Sequence, residues 1–187
     1  PLRMLVSAIK NRQLIMQLTK REISSRYRGS VMGVAWSFIN PLLLLAIYTF
    51  VFSTVFNARW GGAAATGSKA DFALILFTGL IIHAFCAECI NSAPKLITNN
   101  VNFVKKVVFP IETLAPTSVL NALFHLCVSL SVLLAAQLVF NQSIPLTALF
   151  FPVVLLPLIL MVIGLSWILA ALGAYIRDIG QVTGMVT

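Results

Sequence analysis

From Thr113 to Tyr175 the chain carries no Asp, Glu, Lys or Arg. A run of that length is too apolar for a water-facing surface and too long for one membrane crossing. It must cross a bilayer twice as helix, because a helix satisfies its own backbone polar groups in lipid. Asn141-Gln142-Ser143-Ile144-Pro145 is its turn-prone break, which puts spans at about 113–140 and 146–172. Residues 29–58 form a second uncharged stretch and predict a span at about 31–56. A further span at about 72–92 starts after Asp71 and contains Glu88 near its end. Charged residues make up 10% of the chain against roughly 25% in a soluble domain, so the chain is expected to be an all-α integral membrane protein.

Charge sets the expected orientation. The N-terminal segment holds Arg3, Lys10, Arg12, Lys20, Arg21, Arg26 and Arg28, and the loop before Glu112 holds Lys95, Lys105 and Lys106. Arg177 follows the last span, while Arg59 and Lys69 occupy the loop between the first two. The excess of basic residues on one side predicts a cytoplasmic N-terminus and, after four spans, a cytoplasmic C-terminus. The net charge of +8 sits between apolar runs and leaves no continuous basic face for a nucleic acid. No cleavable signal peptide is expected, because the basic amphipathic stretch is long. The absence of an initiator Met and the end at Thr187 suggest a fragment.

Two segments flank the spans on the expected cytoplasmic side. Residues 1–30 form a basic amphipathic segment, expected as a helix in the membrane interface. Residues 94–110 are bounded by Pro94 and Pro110. Leu96, Ile97, Val101, Val104 and Val108 recur there at near-helical spacing, which predicts a short amphipathic surface helix. It either rests on lipid headgroups or docks a partner. Gly62, Gly67, Ser68 and Lys69 come close to a phosphate-binding loop but reverse the order of Lys and Ser, so ATP binding by that route is excluded.

Polar groups within spans each invite a role. His83 and His125 fall near mid-depth and are expected to face one another, bonded between helices. His83, Cys86 and Cys89 step by three along one helix, with Cys127 on the next span. That spacing resembles a metal site only superficially, since structural zinc sites use compact loops. The three cysteines are expected as small buried hydrophobes. Gly29 and Gly33 form a small-xxx-small pair that would permit close helix packing.

Three ordered segments carry a resemblance. Arg26-Tyr27-Arg28-Gly29-Ser30-Val31-Met32-Gly33 with Trp36, Asn40-Pro41-Leu42, Tyr48 and Val51-Phe52 is similar to the opening of ABC-2 type permeases that export polysaccharides. Lys105 to Pro116 resembles that family's segment after the second span, and Tyr175-Ile176-Arg177-Asp178-Ile179 its signature after the fourth. Such permeases have six spans, so the last two would lie beyond this chain. The resemblance implies a homodimeric permease joined to two copies of a P-loop ATPase subunit in a bacterial cytoplasmic (inner) membrane. ATP and magnesium would be bound by that partner and none by this chain. The substrate would be a lipid-linked polysaccharide such as O-antigen, capsule or teichoic acid.

The same resemblance makes the 94–110 loop a coupling loop. It puts Lys20, Arg21, Glu22, Arg26, Arg28, Asn99, Asn100, Phe103, Lys105 and Lys106 at the ATPase interface. The basic residues among them would also attract anionic membrane lipids or the pyrophosphate of a lipid carrier. Trp36, Tyr48 and Phe52 are expected to line a substrate conduit, where sugar C–H faces slide along aromatic rings; lipid contact and interfacial anchoring are the other role open to them. A secondary transporter of a small or lipid-like substrate is the competing class, but it needs coupling-ion sites near mid-membrane, and the one candidate, Glu88, lies towards the cytoplasmic end of its span. A membrane enzyme needs an acid/base constellation that five scattered acidic residues do not supply.

Overall fold

The computed structural model describes residues 7–52, 69–101, 109–142, 148, 150–176 and 178–187. Every regular element among them is helical. Among the described residues, four stretches are long and apolar enough to cross a membrane: Gly33–Phe50, Phe72–Asn99, Ile111–Phe140 and Phe151–Tyr175. The chain divides into two compact units. The first combines Pro1–Arg26, Phe85–Phe124 and Phe150–Thr187, and the second combines Tyr27–Ala84 and His125–Leu149.

In the first unit, helix α1 spans Arg12–Arg26. Its sheltered positions are Leu14, Ile15, Leu18, Thr19, Glu22 and Ile23, a stripe at helical spacing, while Lys20 and Arg21 lie on the exposed side. The Thr19 hydroxyl donates to the Ile15 carbonyl, so burial leaves it satisfied.

The second unit holds the turn after α1 and helix α2, Trp36–Phe50, which is entered through a 3₁₀ turn at Gly33–Ala35. Gly29 and Gly33 have φ of +86° and +55°, and a Cβ on either would meet nothing within 4 Å. These glycines therefore shape a left-handed turn ahead of the span and do not form a packing pair on a helix face. Pro41 is buried inside α2, which continues as a π-helical turn at residues 51–52.

Helix α3 covers Lys69–Ser92 and does not stop at the proline that follows. A 3₁₀ turn at Ala93–Lys95 leads directly into helix α4, Leu96–Asn99. Pro94 is tolerated because it lies in the first turn of a new helical segment, where its missing N–H costs no bond. The helix is capped at Asn100, whose side-chain amide donates to the Leu96 carbonyl at 2.9 Å. The first part of the expected surface helix is thus a continuation of the second span; residues 102–108 lie outside the described set.

A 3₁₀ turn at Ile111–Thr113 opens helix α5, Leu114–Asn141. Residues 113–119 are all buried. The Thr113 and Thr117 hydroxyls donate to the carbonyls of Pro110 and Thr113, which lets both sit fully buried. Helix α6 spans Phe151–Tyr175, and α7 spans Ile179–Val186.

The core of the first unit is where α6 meets the Ala93–Asn99 segment. Leu155, Val162, Ser166, Ala170 and Gly173 form the buried stripe of α6. Ala93, Leu96, Ala115 and Ala170 cluster there, with Ile97, Trp167 and Leu169 packed against them. Small residues at Ala170 and Gly173 let the two backbones approach closely. A Cβ on Gly173 would stand 2.3 Å from the Pro94 carbonyl oxygen. Polar links cross the same unit. The Trp167 indole N–H donates to the Glu112 carbonyl at 3.1 Å. The Ser92 and Ser118 hydroxyls are 2.9 Å apart, and the Asn91 amide donates to the Thr187 hydroxyl at 2.7 Å.

Candidate functional site

The residues expected to meet a partner gather mainly in the first unit. Lys20 and Arg21 are exposed on α1. Arg26, the last residue of α1, forms an ion pair with Glu88 on α3. The sequence treats these two as unrelated, an interface cation and an acidic residue in a span. The structure makes them partners: the Arg26 guanidinium at the end of α1 reaches the Glu88 carboxylate near the end of α3. Arg28 is exposed in the turn after α1, in the second unit.

Glu22 is half-buried. Burial pushes its carboxyl above the usual glutamate range, and Arg21 and Arg26 nearby offset part of that rise. The folded chain therefore holds this proton more tightly than the unfolded one. The stability Glu22 contributes is fully present below the unfolded pKa of about 4.5 and is lost as pH rises through the raised folded value. Glu22→Gln is expected to remove that part of the pH dependence and to leave the protein at least as stable at pH 7. Thermal unfolding of both forms in detergent between pH 4 and 7 checks this. Parallel pH profiles would show that the carboxyl is not desolvated.

On the Ala93–Asn100 segment, Asn99 is exposed and Asn100 is occupied in ending α4. Phe103, Lys105 and Lys106 lie outside the described residues. A cleft of about 300 Å³ opens beside this segment, lined by Pro94, Lys95, Thr98, Val101, Gly173 and Gly180. Lys95 and Gly173 were not among the expected site residues. The sequence signal for Gly173 was the spacing Ser166, Ala170, Gly173, which keeps small side chains on one face.

The expected conduit residues lie in the second unit. The rings of Tyr48 and Phe52 are 6.3 Å apart, and Phe52 lies 5.5 Å from Phe72. Phe72 thus joins an aromatic cluster that sequence spacing did not reveal, because it comes from another helix. Trp36 stands apart, twelve residues before Tyr48 and so roughly 18 Å away along the helix axis. An apolar groove of about 490 Å³ runs between α2 and α5, with Leu45, Thr49, Val132 and Ala136 among its walls.

His125 meets Tyr27, with ring centroids 6.2 Å apart and the phenol oxygen 3.5 Å from Nδ1, whereas His83 is exposed on α3. Cys89 is buried and Cys86 half-buried, but Cys127 is exposed on α5, contrary to the expectation of three buried thiols. A small apolar thiol carries no charge, so a face of a span can hold it without burying it in this chain. Among the described residues, no three His, Cys, Asp or Glu side chains come together as a metal site.

Comparison with known proteins places these observations. The ABC-2 type transporter family matches residues 13–187. An O-antigen export system permease protein RfbA of Myxococcus xanthus is 28% identical over 171 residues, covering 91% of this chain and 62% of its own. Two permeases of the same name from Klebsiella pneumoniae are 26% and 24% identical, each covering 89% of this chain and 61% of its own. The chain therefore spans about three-fifths of the length of these curated relatives. With a family match across nearly its whole length and four apolar helices to match, the chain belongs to the ABC-2 type transporter family as a multi-pass protein of a bacterial inner membrane.

Proposed function

We propose that this chain is the permease part of an ATP-driven exporter that moves a lipid-linked polysaccharide across the bacterial inner membrane. The observation that carries this reading is the family match over residues 13–187, with relatives named as O-antigen export permeases. In this reading two copies of the permease pair with two P-loop ATPase subunits, which bind the ATP and magnesium. The exposed basic face of α1, with Lys20 and Arg21, and the segment from Asn99 through Phe103, Lys105 and Lys106 face the ATPases. Charge-assisted hydrogen bonds suit these side chains to acidic partners. Trp36, Tyr48 and Phe52 border the polymer's path, offering rings that hold sugar faces without fixed hydrogen bonds.

The test is co-purification of the tagged, intact permease with the ATPase encoded beside it. An equimolar complex, weakened when Lys105 and Lys106 are reversed to Glu, is expected. A folded permease that brings down no ATPase would refute the reading and favour a secondary transporter.

A further inference from the structure

We propose that the Arg26–Glu88 ion pair is a positioning contact that ties α1 to the second span, so that α1 and the Ala93–Asn99 segment take load as one body. The inference rests on the exporter reading above and names the residues that would join its two ATPase-facing surfaces.

The geometry supplies each link. Glu88 lies one helical turn before Ser92, and the helix continues through Ala93–Lys95 into Leu96–Asn99. From Glu88 to Asn99 this near-unbroken rod is roughly 17 Å long, so a push at its far end reaches Glu88 with little bending. At Pro94 the rod abuts Gly173 of α6 with no room for even a methyl group. Close-packed contacts of this kind transmit displacement. Arg26 closes the other side. It ends α1, and the chain beyond it turns through Gly29 and Gly33, both at positive φ in open space. A glycine turn bends easily and passes little force. The ion pair therefore supplies a direct route from α1 to the rod that bypasses this turn.

Exposure separates a positioning role from a stabilising one. The Arg26 side chain is 46% exposed and that of Glu88 26%. Ion pairs this exposed add little to folding stability. Breaking this one should leave the protein folded and show in coupling.

The experiment uses the intact permease with its ATPase in proteoliposomes and reads polysaccharide exported per ATP hydrolysed. Arg26→Glu and Glu88→Arg should each lower that ratio roughly five- to tenfold, the scale of a typical coupling energy between sites. The double reversal should restore it, and Arg26→Lys should keep most of it. Single reversals that couple normally, or a double reversal no better than either single, would overturn the proposal. If the reversals do not accumulate in the membrane, Arg26→Gln, Glu88→Gln and the double variant read the same ratio. A double loss no larger than a single one supports the tether, and additive losses overturn it. ATPase co-purification is followed throughout. A wild-type permease without ATPase refutes the exporter reading itself, whereas an intact complex without rescue refutes only the tether.

Discussion

Gly173→Ala is expected to destabilise the fold by about 1–3 kcal/mol, the usual cost of forcing one extra carbon into a packed site. The new Cβ would sit 2.3 Å from the Pro94 carbonyl oxygen and 2.6 Å from its Cα. Both are backbone atoms, so no rotamer change relieves the clash; α6 or the Ala93–Asn99 segment must move. Gly164 lies on the same helix with nothing within 4 Å of its would-be Cβ. Gly164→Ala is the matched control, and it should be neutral or stabilise by up to about 1 kcal/mol through helix propensity. Reversible unfolding in mixed micelles measures both. If the two alanine variants unfold alike, the close approach at Pro94 is wrong. The same contact lies on the route proposed for force, so Gly173→Ala should also impair export in protein that remains folded.

Trp167→Ala should cost about 2–4 kcal/mol, toward the lower part of the range for aromatic truncation because the ring is only half-buried. Two effects add. The indole packs on the Ala93, Leu96, Ala115 and Ala170 cluster, and its N–H satisfies the Glu112 carbonyl at 3.1 Å. Trp167→Phe separates them, since it keeps most of the apolar surface and loses the hydrogen bond. Its expected cost is about 1 kcal/mol. Equal losses for Phe and Ala would assign the whole effect to the hydrogen bond. No loss for either would place the ring in lipid and not in the core. This contact ties the last span to the turn that opens the third, across 55 residues of sequence.

The candidate site was legible in parts. Lys20 and Arg21 were readable as exposed because lysine and arginine are almost never fully buried unless paired, and they lie away from the stripe through Ile15 and Thr19. Asn100 was readable as polar but not as a helix end, because its bond to Leu96 requires the helix to reach that point. Pro94 misled: a proline between two runs reads as a boundary, but one in the first turn of a following helical segment permits continuation. Gly29 and Gly33 misled in the same way, since spacing by four suggests a helix face and the backbone there is left-handed. The Tyr48, Phe52 and Phe72 cluster was two-thirds visible, through the local spacing of its first two members.

What the amino-acid order alone determined was the class: helical spans, their number in this chain and the family to which they belong. Lipid cannot bond a bare backbone, so long uncharged runs have one structural outcome, and charge has few places to go. What only the tertiary structure decided was which faces meet. In a soluble helix the buried face is apolar and the other is not. In α6 both are apolar, and the buried stripe of Val162, Ser166, Ala170 and Gly173 differs from exposed Val154, Met161 and Ile168 mainly in size. Pairings such as Arg26 with Glu88, 62 residues apart, then depend on how the helices are rotated and set against one another. Close packing of small residues fixes that arrangement, and hydrophobic periodicity does not encode it.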